Sequence, residues 1–329
     1  MKSKILVTGG AGFIGSHVAD DLIGSGHEVV VLDDLSGGFI ENVSKQTEFI
    51  AGSITDVDLI NSIFNDYNIE HVFHLAAYAA EGLSHFIKRF NYLNNLIGSV
   101  NLINAAVNHN VKCFVYTSSI AVYGANQLPM HEEMIPTPED SYGIAKFSVE
   151  EELKATKRMF GLDYIIFRPH NVYGERQNIG DKYRNVIGIF MNQIMSGRPL
   201  TIFGDGMQTR AFTNIRDVSP IIAKSAFVEE TYNQVFNIGA DKPYTVNQLA
   251  EEVMKAMNKR VDIVNLEERK EVKAAFSDHS KLEKYFQRKP ECSLEEGLKL
   301  MADWAQQVGC RQSKEFEDIE IRKNLPDGW

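Results

Sequence analysis

A glycine-rich segment near the N-terminus constrains the fold of this chain more than any other feature. The apolar run Ile5–Val7 predicts a buried strand, and the segment Gly9-Gly10-Ala11-Gly12-Phe13-Ile14-Gly15 follows it directly. Apolar side chains then recur at helical spacing as far as Ile23. Strand, tight turn and helix in this order form a dinucleotide-binding motif, because glycine lets the backbone approach the pyrophosphate at the positive end of the helix. The predicted cofactor contacts here are Gly9, Gly12, Phe13, Ile14 and Gly15.

A second predicted strand indicates which dinucleotide binds. The run Glu28–Leu32 ends at Asp33, where an acid can accept hydrogen bonds from the ribose hydroxyls. Asp34 follows, and no lysine or arginine occurs before Lys45, so a 2′-phosphate would meet acid and no base. The sequence therefore predicts NAD rather than NADP, with Asp33 and Asp34 among the cofactor contacts.

Composition argues against several classes of partner. The 329 residues include 34 basic and 44 acidic ones, and the net charge of −10 disfavours binding to nucleic acid or to an anionic membrane. The first apolar run is too short for a signal peptide, and nothing approaches a membrane span. Cys113, Cys292 and Cys310 are too scattered for a disulfide framework or a zinc site. We therefore expect a cytoplasmic protein without a metal ion.

Predicted strands and helices alternate through the first half of the chain. Strands are predicted at residues 48–52, 71–77, 112–117 and 163–168, and helices at 56–66, 83–108 and 142–160. Thr55 is the predicted N-cap of the first of these helices. This alternation predicts an α/β fold, a Rossmann-type doubly wound parallel sheet with helices on both faces. Ligands of such a sheet bind at the carboxyl ends of its strands.

The regular alternation breaks down after Pro169. Helices are predicted at residues 186–195, 246–257 and 294–307, separated by stretches rich in Gly, Asn and Arg. These residues predict a smaller, mixed α/β C-terminal region.

Three polar residues form a candidate catalytic group. Tyr142 and Lys146 are four residues apart on a predicted helix and share one face, and Ser119 follows a predicted strand that ends at the same edge of the sheet. A tyrosine with its ordinary pKa of about 10 is a poor base at neutral pH. A lysine ammonium one turn away, together with a positively charged nicotinamide, would lower that pKa. The three residues therefore predict proton transfer at an alcohol, although a Tyr-x-x-x-Lys spacing alone also suits an ordinary amphipathic helix.

Four motifs, Thr8–Gly15, His74–Ala77, Ser118–Gly124 and Tyr142–Lys146, resemble those of the extended short-chain dehydrogenase/reductase superfamily. Within that superfamily the whole chain is most similar to the nucleotide-sugar epimerases of the UDP-glucose 4-epimerase type. The resemblance implies that residues 1–170 bind NAD and that residues 212–240 return to this domain. Residues 171–211 and 241–329 would then form the nucleotide-sugar-binding region, and the protein would be a homodimer.

The resemblance also implies further binding residues. The motif Arg168–Gly174 places Asn171 on the sugar diphosphate, and the segment Leu200–Arg210 supplies Arg210 to it. Glu81 is either a ligand of a sugar hydroxyl or a solvated loop acid. The other expected substrate contacts are Tyr78, Ser119, Arg176, Asn185 and Val186. The other expected cofactor contacts are Ser53, Ile54, Leu75, Ala76, Ala77, Asn95, Tyr142 and Lys146.

The resemblance points to one reaction within the superfamily. At Ile120 and Ala121 the similar dehydratases, decarboxylases and 3,5-epimerases carry an acid or a cysteine that their chemistry requires. The expected activity is therefore C4 epimerisation of a UDP-hexose through a transient 4-keto sugar, with Tyr142 as the base. Arg176 and Arg184 could pair with a carboxylate if the sugar is a uronic acid. A dehydratase or decarboxylase, a uronate 4-epimerase, a net oxidoreductase and a nucleotide-sensing protein remain alternatives.

Overall fold

The computed structural model describes residues 3–125, 128–268, 273–286, 292–312 and 316–326. Strands and helices alternate through its first half, as the sequence predicts. The elements as far as residue 169 are β1 Lys4–Thr8, α1 Phe13–Gly24, β2 Glu28–Asp33, β3 Glu48–Ala51, α2 Val57–Asp66, β4 His71–His74, α3 Glu81–Ser84, α4 Lys88–Tyr92, α5 Gly98–Asn108, β5 Cys113–Thr117, α6 Ser141–Phe160 and β6 Asp163–Pro169. A π-helical turn, Leu93–Ile97, joins α4 to α5 without a break.

The second half consists of short strands and helices. They are β7 Val172–Tyr173, α7 Val186–Met195, β8 Leu200–Phe203, β9 Thr209–Ala211, β10 Thr213–Asn214, α8 Ser219–Ser225, β11 Gln234–Ile238, β12 Pro243–Thr245, α9 Val246–Ala256, β13 Ile263–Leu266, β14 Ala274–Ala275, α10 Ser280–Tyr285 and α11 Leu294–Val308. No helix within the described ranges is both long and apolar enough to cross a bilayer.

The central sheet is parallel and has seven strands among the described residues, in the order β3-β2-β1-β4-β5-β6-β11. Successive side chains of β1 enter opposite faces: Ile5 and Val7 pack with α1 and α8, whereas Leu6 packs with α2, α5 and α6. The inner strands β1 and β5 are buried on both faces and consist mainly of apolar residues, as parallel strands require. The predicted Rossmann-type α/β fold is confirmed.

A separate core supports the second half of the chain. Phe190 of α7, Leu249 of α9 and Leu298 of α11 are buried together there. Two small sheets adjoin this core, β12-β9-β14 and β13-β8. This is the mixed α/β arrangement expected of the smaller region, and the division of the chain into two domains stays a prediction.

Three predicted element boundaries are wrong. Asp56, not Thr55, caps α2, because its carboxylate accepts a hydrogen bond from the Leu59 N–H at 3.0 Å. The strand predicted at 71–77 ends at His74. The helix predicted at 83–108 is interrupted between α3 and α4, where the Phe86 carbonyl accepts hydrogen bonds from residues near the C-terminus. Residues 212–240 are expected to return to the NAD-binding domain; within them β11 joins the central sheet and β10 pairs with β7, and the assignment of this range to that domain stays a prediction.

A buried ion pair fixes α6 to the sheet. Glu150 of α6 is 0% exposed, and its carboxylate binds the guanidinium of Arg168 on β6, which is 2% exposed. Ser118, at the end of β5, donates its hydroxyl proton to the same carboxylate. Arg168 also donates to the Tyr123 hydroxyl at 2.7 Å, and Tyr123 donates to Asn237 of β11 at 2.8 Å. The network therefore joins one helix to three strands of the sheet.

We predict that Glu150→Gln lowers the free energy of unfolding by about 3–5 kcal/mol, because it leaves the buried Arg168 cation without its counter-ion. The matched control is Glu151→Gln, the next residue on the same helix, where a half-exposed pair with Lys154 is lost at a cost below about 1 kcal/mol. Urea unfolding followed by circular dichroism measures both. Equal losses for the two variants would show that the buried pair does not stabilise the fold in this way.

Candidate active site

A large cavity lies at the carboxyl ends of the parallel strands. Its volume is about 1550 Å³. A pocket for one drug-sized ligand measures roughly 300–1,000 Å³, so this cavity has room for a dinucleotide and a second ligand. The predicted residues that line it are Gly9, Gly12, Phe13, Ile14, Gly15, Asp33, Asp34, Ile54, Leu75, Ala76, Ala77, Tyr78, Glu81, Ser119, Tyr142, Lys146, Asn171, Asn185 and Arg210.

The glycine-rich turn at one end of the cavity leaves no room for side chains. Gly9 has φ +72°, and a Cβ there would lie 2.6 Å from the Ala76 nitrogen. A Cβ on Gly15 would lie 2.1 Å from the Gly9 carbonyl oxygen. Gly12 is the N-cap of α1 and lines the cavity. The N–H groups of the first helical turn have no partner within the helix and therefore lie at the cavity. A backbone cradle at a helix N-terminus fits the pyrophosphate of a dinucleotide.

Asp33 stands at the end of β2 beside this cradle. Its carboxylate accepts hydrogen bonds from the Ala11 N–H at 2.9 Å and from the Leu35 N–H at 2.8 Å, which fix its position. Burial raises the pKa of Asp33, and the two backbone hydrogen bonds oppose that rise. The residues present therefore fit an adenosine ribose held by a carboxylate, as the sequence predicts.

Ser119, Tyr142 and Lys146 meet in the middle of the cavity. The Ser119 hydroxyl lies close enough to the Tyr142 phenol to lower its pKa, and the Lys146 Nζ lies 5.7 Å from the centre of the Tyr142 ring. Lys146 donates a hydrogen bond to the Thr117 carbonyl at 2.8 Å, so the end of β5 holds its ammonium in place. Helix α6 and the end of β5 thus bring together the three residues of the predicted catalytic group.

Burial dominates the protonation of this group. It lowers the pKa of Lys146 to about 7, and the neighbouring Glu150 opposes that shift. The pKa of Tyr142 is raised by burial and then by the charge of Glu81, whereas the Ser119 hydrogen bond and Arg184 lower it. The expectation that Lys146 pulls the Tyr142 pKa below its ordinary value is therefore not met by the protein alone. A cationic ligand beside the phenol would favour its ionised form.

A buried histidine supports the floor of the cavity. His74 Nδ1 bonds to the Thr8 hydroxyl at 2.7 Å, and its Nε2 bonds to the Ser99 hydroxyl at 2.8 Å. Burial, and secondarily the Lys146 charge, lowers the pKa of His74 to about 3. A neutral imidazole therefore ties β1 and β4 to α5 beneath the Lys146 ammonium.

The other end of the cavity carries the predicted substrate residues. Asn171 follows β6 with φ +41°, and its amide donates to the Ala211 carbonyl at 3.1 Å. Arg210 of β9 donates to its neighbour's carbonyl, that of Thr209, at 2.9 Å. Asn185 is the left-handed residue that precedes α7. Two loops and a small sheet therefore supply these residues to the cavity lining.

The structure places four predicted contact residues outside the cavity lining, and each has another neighbour. Ser53 bonds to the Thr55 hydroxyl at 2.9 Å. The Asn95 amide binds the Tyr78 backbone, accepting at 2.8 Å and donating at 3.0 Å, so it positions the loop after β4. Arg176 forms an ion pair with Asp20 of α1 at 2.7 Å. Val186 packs against the core of the second half.

Three further residues line the cavity. Arg184 reaches the cavity, where its guanidinium lies 5.0 Å from the centre of the Tyr78 ring and its Nε donates to Asp181 at 2.7 Å. Asn324 and Pro326 come from the far C-terminus and line the same cavity. The basic charge of Arg184 is visible in the sequence and predicts a carboxylate partner. No motif near Asn324 or Pro326 predicts that they line the cavity.

In the part of the chain that the structure describes, His, Cys, Asp and Glu side chains do not gather in groups of three or more that could hold a metal ion. The site therefore consists of a dinucleotide cradle and a Ser-Tyr-Lys group in one cavity. An alcohol bound beside Tyr142 would have a proton acceptor at its oxygen. These features define an enzyme of the short-chain dehydrogenase/reductase type.

Comparison with known proteins agrees with this site. The NAD dependent epimerase/dehydratase family model matches residues 5–239, and the chain belongs to this family of nucleotide-sugar enzymes. It is similar to the UDP-glucose 4-epimerase of Thermotoga maritima, solved with UDP-glucose, with 37% identity, a TM-score of 0.87, and coverage of 93% of this chain and 99% of that one.

The names of two further relatives specify other sugars. The UDP-N-acetylglucosamine 4-epimerase of Methanobrevibacter ruminantium, solved with UDP-N-acetylmuramic acid, has 34% identity and a TM-score of 0.87, over 94% of this chain and 100% of that one. The UDP-glucuronate 4-epimerase of Thermodesulfobacterium geofontis is 30% identical, over 97% of this chain and 98% of its own length.

We predict that the protein binds NAD at least about tenfold more tightly than NADP, because a 2′-phosphate would meet the buried Asp33 carboxylate. Asp33→Asn removes that charge, so it should reduce the ratio of the NADP dissociation constant to the NAD dissociation constant. Calorimetric titration of both dinucleotides measures it, with Asp58→Asn, an exposed acid on α2, as the matched control. Equal affinities in the wild-type protein would contradict the assignment of Asp33.

Proposed function

We propose that the protein epimerises a UDP-hexose at C4, with Tyr142 as the base. The observation that carries this proposal is that Ser119, Tyr142 and Lys146 line the same cavity as the glycine cradle. Bound NAD would accept a hydride from C4 and return it to the opposite face of the sugar. The protein itself must hold the nucleotide, move the O4 proton and keep water away.

The O4 proton passes to Tyr142 and is later returned. The Ser119 hydroxyl lies beside the Tyr142 phenol and can pass a proton between that phenol and the sugar oxygen. Tyr142 is buried, which disfavours its phenolate, so the Lys146 ammonium and a cationic cofactor must supply the compensating charge. The substrate and its epimer differ only at C4. The same group can therefore accept the O4 proton from either sugar.

The residues that would bind the nucleotide lie away from this chemistry. Asn171 and Arg210 line the opposite end of the cavity, and a basic side chain there suits a diphosphate. A sugar anchored only through its diphosphate can rotate while its 4-keto form stays bound. The three similar proteins named above share a UDP-sugar 4-epimerase name while their sugars differ, which supports C4 as the reacting centre.

The residues after Ser119 disfavour the alternatives that need another catalytic group. Ile120 and Ala121 line the cavity directly after Ser119, and neither side chain can donate or accept a proton. Elimination of a C6 hydroxyl or removal of a carbon-bound proton would need such a group at this place.

A uronate 4-epimerase is the second candidate, because Arg184 lines the cavity near Tyr142. Its guanidinium acts on the Tyr142 pKa and is paired with Asp181. A substrate carboxylate could share this cation. Incubation with UDP-glucose, UDP-N-acetylglucosamine and UDP-glucuronate, followed by NMR of the products, separates the candidates. C4 epimers of the neutral sugars alone support the UDP-hexose, and epimerisation of UDP-glucuronate alone supports the uronate.

We predict that Tyr142→Phe loses at least ~100-fold in turnover, since a positioned base contributes on the order of 10²–10⁴-fold. The variant should still bind UDP-sugar, because the nucleotide contacts lie elsewhere. Arg210→Ala should do the reverse and raise KM more than it lowers kcat.

The matched control is Tyr164→Phe, which removes a phenol oxygen on β6 outside the cavity lining. Its turnover should equal that of the wild-type protein. If Tyr142→Phe also retained near wild-type turnover, Tyr142 would not be the base.

We also propose a homodimer that buries the outer faces of α4–α5 and α6. Leu93 is 45%, Ile97 45% and Ile144 40% exposed on these helices. A self-complementary pairing would cover them. Light scattering should give a dimer mass for the wild type and a monomer for Ile97→Glu. A wild-type monomer at micromolar concentration would contradict the proposal.

A further inference from the structure

The C-terminal segment 316–326 reaches the same cavity. Two of its residues, Asn324 and Pro326, line the cavity that also contains Tyr142 and Glu81. Asn324 adopts φ +59° at a turn in which the Leu325 N–H donates to the Arg322 carbonyl at 3.3 Å. The Asn324 amide has no hydrogen-bond partner among the described residues and is exposed at the cavity.

Glu320 fastens this segment to the start of a helix. Its carboxylate accepts hydrogen bonds from the Arg89 N–H at 2.8 Å and from the Phe90 N–H at 2.9 Å. Both donors belong to the first turn of α4, where backbone N–H groups lack intrahelical partners. The Glu320 and Ile321 N–H groups in turn donate to the Phe86 carbonyl at 2.9 and 3.1 Å. Four hydrogen bonds therefore hold the middle of the segment.

Aromatic packing holds its beginning. The Phe316 ring lies 4.9 Å from the Phe90 ring and 5.6 Å from the Tyr78 ring, measured between centroids. The Phe316 N–H donates to the Tyr183 hydroxyl at 3.2 Å. Phe90, Tyr78 and Tyr183 themselves line the cavity, so Phe316 packs directly behind its wall.

The stretch to which the segment is fastened also carries active-site residues. Glu81 begins α3 and lines the cavity. Ser84, in the same helix, accepts a hydrogen bond from the Tyr142 N–H at 3.1 Å. The contact between segment 316–326 and residues 86–90 therefore lies directly after α3, the helix that adjoins Tyr142, where the sugar must bind.

We propose that segment 316–326 forms a wall of the sugar pocket, with the Asn324 amide as a hydrogen-bonding contact for the hexosyl group and Glu320 as the residue that holds the wall in place. This inference rests on the proposed function, because it takes the ligand at that end to be a hexose linked to UDP. The wall should contribute to the affinity for the sugar and not to the affinity for the nucleotide.

The test compares UDP-glucose, UDP-N-acetylglucosamine and UDP as ligands of the NAD-loaded full-length protein, by calorimetry. Asn324→Ala should raise the Kd of at least one UDP-sugar about three- to tenfold, the range expected of one hydrogen bond. Glu320→Gln should raise it by a similar factor, with a parallel rise in KM and a smaller change in kcat. The Kd of UDP should stay within about twofold of the wild-type value for both variants.

The matched control is Glu317→Gln, which removes an exposed carboxylate of the same segment that forms no hydrogen bond within the described residues. It should match the wild-type protein with every ligand. The inference is overturned if Asn324→Ala and Glu320→Gln bind the UDP-sugars like the wild type, or if they weaken UDP as much as the UDP-sugars.

Failure of the proposed function gives a different result. In that case the wild-type protein would bind UDP-sugars without producing a C4 epimer, and the comparison of affinities would still test the wall. A wild-type protein that binds neither UDP-sugar would overturn the inference as well.

Discussion

The buried ion pair between Glu150 and Arg168 is the interaction on which the active site depends. It fixes α6, which carries Tyr142 and Lys146, against β6, and the same carboxylate holds Ser118 beside Ser119. Lys146 in turn binds the carbonyl at the end of β5. A charge this deeply buried tolerates little change in geometry, because its hydrogen bonds must all be satisfied. The helix and strand therefore hold the three candidate catalytic side chains in one fixed arrangement, in the same cavity as the glycine cradle.

The sequence predicts the first half of the fold well, because its signals are local. Ile5–Val7, the glycines and Asp33 lie within one strand-turn-helix-strand unit, and the periodicity of each element is visible by itself. The predicted helix at 83–108 fails because its interruption has a distant cause. Glu320 lies 231 residues from Arg89 in the sequence, yet its carboxylate binds the first turn of α4. The pattern of residues near Phe86 cannot predict that contact. Thr55 and Asp56 are both good N-caps, and only the backbone decides between them.

The site residues that the sequence predicts also depend on local signals, and the ones that it misses depend on contacts between distant parts of the chain. The spacing of Tyr142 and Lys146 predicts their meeting, but it does not predict that burial outweighs charge in the pKa of Tyr142. Arg176 and Arg184 occur in one loop and look alike in the sequence. In the structure Arg176 turns to Asp20 on α1, whereas Arg184 packs on Tyr78 in the cavity. Asn324 joins the site only through the path of the chain after α11, which no motif encodes.

In the proposed mechanism Tyr142 exchanges only the O4 proton, and the hydrogen on C4 never mixes with solvent. Running the reaction in deuterium oxide and examining the product by NMR measures this. We expect a UDP-sugar inverted at C4 with no solvent deuterium on any ring carbon. Deuterium at C4 or C5 of the product would show that a carbon-bound proton is removed, and Tyr142 would then not act as proposed.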